Sequence, residues 1–219
     1  MAASRPSTAD KRRAFRKLHE SGCFVIPNPW NLGSARYLQG LGFKAIATTS
    51  SGHAHSMGYP DGAQTLDTVL AHYKEIAEAA DIPLNADFED GFGKTPDEVA
   101  ANVTKCIATG VSGLSIEDSP QGGPPRLYEF DEAVARVKAA GGKPINFLNS
   151  GAFGFTVSDL AGMGVRRISV GGSLARVAMH AFIKAATEIG KDGKFDGFAD
   201  LISNAELNKF FAEDLKKRA

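Results

Sequence analysis

Acidic side chains follow three consecutive apolar segments of the chain, at the points where the segments end. Asp87, Glu89 and Asp90 close the segment PLNADFED, and Glu117 closes GLSIED. Asp61 stands in the loop SMGYPDG, which follows the earlier apolar segment KAIATTS. If the segments are parallel strands, their carboxyl ends share one rim, where α/β folds gather their catalytic groups. The spacing therefore predicts a cluster of carboxylates on one rim.

Clustered carboxylates repel one another unless a cation lies between them. Mg²⁺ prefers carboxylate and water oxygens, so the cluster indicates a site for Mg²⁺ or Mn²⁺. The expected ligands are Asp61, Asp87, Glu89 and Glu117. The alternative interpretation is that such acids are helix N-caps and first-turn residues, which also favour loops before helices. We assign Asp97 and Asp131 to that second class.

The acids need a scaffold, and the chain has a regular pattern that supplies one. Continuous apolar segments alternate with helical patterns, which predicts βαβ units and a parallel α/β sheet. The predicted strands span 24–28, 44–50, 83–89, 113–118, 144–148 and 166–172. No low-complexity linker divides the chain, so we expect one domain over 1–219. Within it, residues 1–20 form an N-terminal helix and residues 198–219 a helical tail.

Composition excludes several classes of protein. The 219 residues are 43% hydrophobic and 23% charged, as in ordinary globular proteins, with 25 basic and 25 acidic side chains. A net charge of zero argues against a general nucleic-acid binder. Two cysteines cannot form a disulfide framework, and no apolar run reaches the ~18 residues of a membrane span. We expect a cytoplasmic protein with neither nucleic acid nor membrane as a partner.

Four motifs, in order along the chain, resemble the isocitrate lyase/phosphoenolpyruvate mutase superfamily. GYPDG puts Asp61 at the family's loop aspartate, and DFEDGFG matches its metal motif D-x-[DE]-x-G-[YF]-G at Asp87 and Glu89. SIED matches the strand that carries its metal-linked glutamate, here Glu117. The segment VSDLAGMGVRRISVGGSLARVAMHAFIKAATEI is similar to the last strand and helix. The likeness covers most of 22–190.

The resemblance implies a Mg²⁺-dependent, TIM-barrel-like (β/α) barrel that acts on small 2-oxo or 2-hydroxy carboxylates. Such an enzyme is a lyase or decarboxylase with a pyruvate enolate-type intermediate, whose charge a metal stabilises as a Lewis acid. The resemblance also implies that Asp61 and Glu117 are catalytic. The implied substrate pocket consists of Trp30, Thr48, Thr49, Ser50 and Ser51. Strand capping by the hydroxyl groups and burial of the tryptophan in the core are the alternative interpretations.

Two features depart from the family pattern. The loop after Glu117, SPQGGPPRLYEF, has no Cys, His or Lys, whereas the family's lyases carry an acid/base Cys there. The chain also passes directly from AVARVKAA to PINFL, so it lacks two strand–helix units and the arginine that grips the substrate. The barrel is therefore predicted to be shortened to about six strands, with C-terminal helices. Arg126 is a possible substitute for the missing guanidinium.

These departures leave two alternatives to a lyase. One is a catalytically impaired superfamily member that serves binding or assembly, and the other is a mutase or hydrolase of C–P bonds. The family also implies a homo-oligomer, a dimer or tetramer, in which a C-terminal helix reaches a neighbour. An apolar stripe in the tail fits that expectation and needs a partner: Leu207, Phe210, Phe211 and Leu215.

Overall fold

A computed structural model describes residues 5–117, 128–129, 131–132, 135 and 146–218. Several predictions concern residues outside that set. They are the last residue of the fourth predicted strand, most of the loop after Glu117 including Arg126, most of the helix predicted over 131–141, and the first residues of the fifth strand.

The described residues contain six short strands, and each lies inside one of the six predicted segments. Their apolar sequences suit strands buried on both faces. They are β1 (Phe24–Ile26), β2 (Ile46–Ala47), β3 (Leu84–Asp87), β4 (Gly113–Ser115), β5 (Asn146–Leu148) and β6 (Arg167–Ser169).

All pairings between these strands are parallel, which confirms the predicted sheet. Strands β2, β3 and β4 pair in that order, and β6 pairs with both β1 and β5. The Ala47 N–H donates to the Pro27 carbonyl at 3.1 Å and links the two groups. The resulting order β5-β6-β1-β2-β3-β4 is that of an α/β barrel wall. The carboxyl ends of the six strands therefore share one rim.

Helices alternate with the strands, and most begin at a Ser, Thr or Asn whose side chain caps the first turn. Asp97 lies in the first turn of its helix, as predicted. No helix among the described residues has the length and apolar content needed to cross a membrane. The helices are α1 (Thr8–Leu18), α2 (Leu32–Gly40), α3 (Ser50–Ser56), α4 (Leu66–Ala79), α5 (Pro96–Ala108), α6 (Val157–Gly162), α7 (Ser173–Asp192) and α8 (Asn204–Arg218).

The main core lies between β2–β4 and helices α4 and α5, and it holds the strand that carries the acids. Its fully buried side chains include Val69, Ile76, Leu84 and Val99. Helix α1 covers a second, smaller cluster through Phe15, and its basic side chains cap other helices. For example, the Lys11 Nζ donates to the carbonyls of Ala77 and Ala80 at the end of α4. The predicted N-terminal helix thus binds the C-terminal end of α4 through these hydrogen bonds.

The tail helix α8 finds its partner within the same chain. Phe210 packs against Tyr37 of α2, with ring centroids 4.5 Å apart. The buried guanidinium of Arg36 forms an ion pair with Asp214, with Nε 2.8 Å from Oδ2. Leu215 remains 58% exposed. Helix α2 of the same chain thus covers part of the tail stripe, and contact of the tail with a neighbouring chain stays a prediction.

Helix α7, in contrast, is twenty residues long and has no buried residue. It exposes large apolar side chains, including Val177 (67%), Phe182 (66%) and Ile183 (53%). Monomeric proteins rarely expose contiguous apolar patches of this kind. Helix α7 therefore carries a large apolar face that the described residues leave uncovered.

Candidate metal and carboxylate site

Glu89, two residues beyond β3, is a buried carboxylate in an unusual backbone conformation. It is 1% exposed and has a φ of 47°, in the left-handed region that few non-glycine residues adopt. Phe92 is a second such residue, with a φ of 54°. Two of them in one loop store strain, which proteins retain mainly at functional sites.

Packing against α5 imposes this loop conformation. A side chain at Gly93 would collide with the backbone of Val99, so the loop approaches α5 as closely as glycine allows. The Asn102 side chain donates to the carbonyls of Phe92 at 2.9 Å and Gly91 at 3.2 Å. The sequence DGFG therefore serves to press the loop onto α5, which turns Glu89 inward.

The environment of Glu89 destabilises its negative charge, and a cation bound beside the carboxylate would compensate that charge. Its Oε2 atom is buried and has no hydrogen-bond partner. Burial first, and then the charges of neighbouring carboxylates, raise the pKa of Glu89 to about 8. Those neighbours are Asp87, Asp61, Asp90 and Glu117. The structure thus brings together all four predicted metal ligands closely enough for their charges to interact.

Asp87, at the end of β3, is held by the segment that follows β2. The Ser50 N–H donates to its Oδ2 at 2.9 Å, and its own N–H donates to the Thr48 hydroxyl at 2.8 Å. Tyr73 donates its hydroxyl to the Asp87 carbonyl. Burial raises the pKa of Asp87 although the Ser50 hydrogen bonds oppose the shift. The hydrogen bonds fix the position of the carboxylate, but they do not fully compensate the cost of burying its negative charge.

The other acids are arranged less directly. Glu117 is exposed, and its N–H donates to the Glu89 carbonyl at 2.7 Å, while Asp61 lies in an exposed loop. Asp90 accepts hydrogen bonds from the Phe92 N–H at 3.0 Å and from the Tyr128 hydroxyl at 2.8 Å. Within the described ranges, no three His, Cys, Asp or Glu side chains converge on one point as a ready-made metal cage.

The Thr/Ser run, residues 48–51, is named here the TTSS segment. The predicted strand 44–50 includes Ser50, but Ser50 and Ser51 belong to α3. Thr49 caps the N-terminus of that helix, and not the strand, by accepting from the Gly52 N–H at 3.3 Å. The Thr49 and Ser51 hydroxyls lie 3.3 Å apart beside Asp87's partner Ser50. The segment therefore both caps a helix and borders the acids.

Trp30 is half-buried and contributes to a groove between α3 and α7 of about 950 Å³. The groove is also lined by Gly52, Asn149, Ser173 and Phe182. Trp30 thus lies in the groove beside α3, and its role as a wall of a substrate pocket stays a prediction.

Asn28 is a rim residue that the sequence analysis missed. It is 4% exposed, and its side chain hydrogen-bonds to the backbone of Thr48, Val170 and Gly171. The only signal in the sequence is a polar residue directly after an apolar strand, in IPNPW. That signal does not distinguish a loop amide exposed to solvent from one that binds neighbouring strands.

Comparisons with known proteins agree with this architecture. The 2-methylisocitrate lyase of Escherichia coli (strain K12) is 36% identical over 139 residues, which are 58% of this chain and 46% of that protein. The chain therefore spans less than half the length of this curated relative. A protein of Burkholderia cenocepacia J2315, described provisionally as a lyase/mutase, is 32% identical with a TM-score of 0.82 over 94% of this chain and 96% of that one.

A more distant solved structure has the same fold. It is phosphonopyruvate hydrolase in complex with oxalate and Mg²⁺, with 20% identity, a TM-score of 0.78, and coverage of 94% of this chain and 96% of that one. The family model described as phosphoenolpyruvate phosphomutase matches residues 15–146, a span that holds β1 to β4 and every acid of the cluster. The chain therefore belongs to the phosphoenolpyruvate phosphomutase family, within the isocitrate lyase/phosphoenolpyruvate mutase superfamily.

Proposed function

We propose that this protein is a Mg²⁺-dependent carbon–carbon lyase or decarboxylase that acts on a small 2-oxo or 2-hydroxy carboxylate through a pyruvate enolate-type intermediate. The observation that carries the proposal is the buried Glu89 carboxylate, with one oxygen unpartnered, among the charges of four other acids. A buried anion without a partner is costly, and a divalent cation at the rim would compensate it.

The residues present fit a hard divalent cation. Asp87 would hold Mg²⁺ or Mn²⁺ directly, and Asp61, Glu89 and Glu117 would do so mostly through water, because Mg²⁺ sheds its waters reluctantly. When bound, the cation supplies Lewis-acid stabilisation of developing negative charge on the substrate.

The chain's own groups have separate tasks in this proposal. The Thr48 hydroxyl and the Ser50 N–H keep the Asp87 carboxylate in one orientation. The hydroxyl groups of Thr49 and Ser51 would donate to the carboxylate of the substrate. Trp30 closes the adjoining groove on one side. Asp61 and Glu117 are the proposed catalytic acids, because both border the cluster and are exposed to the rim.

Activity is expected to be Mg²⁺-dependent but slow. The loop after Glu117 has no Cys, and loss of one general acid costs typically ~10²–10⁴ in rate. The test is a screen of oxaloacetate, methylisocitrate, dimethylmalate and phosphonopyruvate for release of pyruvate or a related 2-oxo acid. Mg²⁺-dependent binding of oxalate, an enolate-like dianion, is measured in parallel. Turnover of methylisocitrate near the ~10 s⁻¹ median for enzymes would contradict the expectation of slow chemistry.

Two other functions have specific support. The loop after Glu117 has no Cys, His or Lys, which favours an impaired member that binds carboxylates or assembles without turnover. Oxalate binding without turnover on any screened acid would favour this alternative. The fold shared with phosphonopyruvate hydrolase favours C–P bond chemistry, for which phosphonopyruvate would be the one active substrate.

We also propose a homo-oligomer, a dimer or tetramer, that buries α7. Phe182→Glu is expected to shift the protein towards monomer, because a charge in a buried apolar contact weakens association by roughly 30-fold or more. Leu215→Glu on α8, 58% exposed in the wild type, is the matched control and should not change assembly. Light scattering at micromolar concentration measures both. A monomeric wild type, or equal dissociation in both variants, would exclude α7 as the interface.

A further inference from the structure

Asn28, two residues beyond β1, ties three loops together at the rim. Its Nδ2 donates to the Thr48 carbonyl at 2.7 Å, and its Oδ1 accepts from the N–H groups of Val170 at 2.8 Å and Gly171 at 3.0 Å. Both atoms of the amide are therefore used, inside a site that is almost closed to solvent. One side chain joins the segments that leave β1, β2 and β6.

The two segments that Asn28 holds are in contact with each other. The VGGS segment, residues 170–173, begins α7, as the TTSS segment begins α3. A side chain at Gly172 would collide with the Ser51 hydroxyl and lie 3.6 Å from the Thr49 hydroxyl. Because glycine leaves no side chain at this contact, the spacing of the two segments depends on backbone position. Asn28 hydrogen-bonds to the backbone of both segments.

An amide is the group that this position requires. The Thr48 carbonyl needs a donor, and the two N–H groups from the VGGS segment need an acceptor with two lone pairs. A carboxylate would set a charged oxygen against the Thr48 carbonyl, and an apolar side chain would leave three backbone groups without this partner. The Thr48 hydroxyl accepts from the Asp87 N–H, so the segment that Asn28 holds lies beside the acids.

We propose that Asn28 is a positioning residue that sets the distance between the TTSS and VGGS segments and thereby the affinity of the rim for a small carboxylate. It acts through Thr49 and Ser51 and does not contact the ligand. The inference rests on the proposed function for the identity of the ligand, whereas the bridge between the segments is a feature of the fold alone.

The test is calorimetry with oxalate and Mg²⁺ on the full chain. In Asn28→Ser and Asn28→Asp, oxalate affinity is expected to fall about tenfold to 100-fold, because small displacements of positioning groups have effects of this size. Binding of Mg²⁺ alone should be retained, since the Asp87 carboxylate is not altered. Val103→Ala in the main core is the control for lost stability, and it should leave oxalate affinity unchanged. Oxalate affinity in Asn28→Ser equal to that of the wild type would overturn the proposal.

A second measurement separates this inference from the proposed function. If the wild type binds no oxalate, the proposed function fails and hydrogen exchange decides the role of Asn28. In Asn28→Ser, peptides covering 48–52 and 170–173 should both exchange faster than in the wild type, while peptides of α5 should not. Unchanged exchange in either of the two segments would show that Asn28 does not hold them together.

Discussion

Asp87→Asn is expected to lower Mg²⁺ affinity by at least ~100-fold and to abolish Mg²⁺-dependent binding of oxalate. The substitution preserves shape, and the amide oxygen of the new side chain would still accept from the Ser50 N–H that now reaches Oδ2 at 2.9 Å. Only the negative charge is lost, and direct carboxylate ligands dominate the affinity of a site whose other contacts are made through water. Isothermal titration with Mg²⁺, then with oxalate at saturating Mg²⁺, measures both effects.

The matched control is Asp97→Asn, which removes a charge of the same type from the first turn of α5. It should leave Mg²⁺ affinity unchanged, because Asp97 stabilises the helix N-terminus and is not among the acids that raise the pKa of Glu89. Equal Mg²⁺ affinity in wild type and Asp87→Asn would refute the assignment of Asp87 as the direct ligand. A loss of affinity in both variants would show a nonspecific effect of charge.

The positions of the strands along the chain and of the acids at their ends followed from local patterns that the sequence displays. Apolar runs bounded by Gly and Pro mark buried strands, and acids at their ends mark the rim. The predicted strand 44–50 is nevertheless longer than the observed Ile46–Ala47. Of the next two residues, Thr48 accepts from the Asp87 N–H with its hydroxyl, and Thr49 caps α3. The side chains of Thr48 and Thr49 thus hydrogen-bond at the rim, directly beyond the end of β2.

The features that sequence could not supply depend on contacts between distant residues. Apolar stripes occur in both α7 and α8, and the pattern alone does not show which is covered. Helix α8 packs on α2, where the Arg36–Asp214 ion pair joins residues that are 178 positions apart in the sequence. The bridge from Asn28 to Gly171 spans 143 positions and was equally invisible. Local propensity carries no information on such pairings until the fold is known.

The wild type is expected to lose about 3 kcal/mol of unfolding free energy between pH 7 and pH 4 that His72→Leu does not lose. His72 of α4 is 5% exposed and stacks on His53 of α3, with ring centroids 3.7 Å apart and planes at 7°. Its Nε2 is buried without a hydrogen-bond partner. Burial, and then the charge of His53, lower the pKa of His72 from its ordinary 6.5 to about 3.

The direction of the effect follows from proton binding in the two states. Between pH 6.5 and pH 3 the unfolded chain binds a proton at His72 and the folded chain does not, so stability falls as the pH falls. Each pH unit in this window costs about 1.4 kcal/mol. Urea unfolding of wild type and His72→Leu at pH 7 and pH 4 gives the difference free of other titrating groups. Val69→Ala in the same helix should lower stability equally at both pH values, because it removes no titrating group. A pH dependence in His72→Leu equal to that of the wild type would mean that the stacked imidazole is not held neutral by the fold.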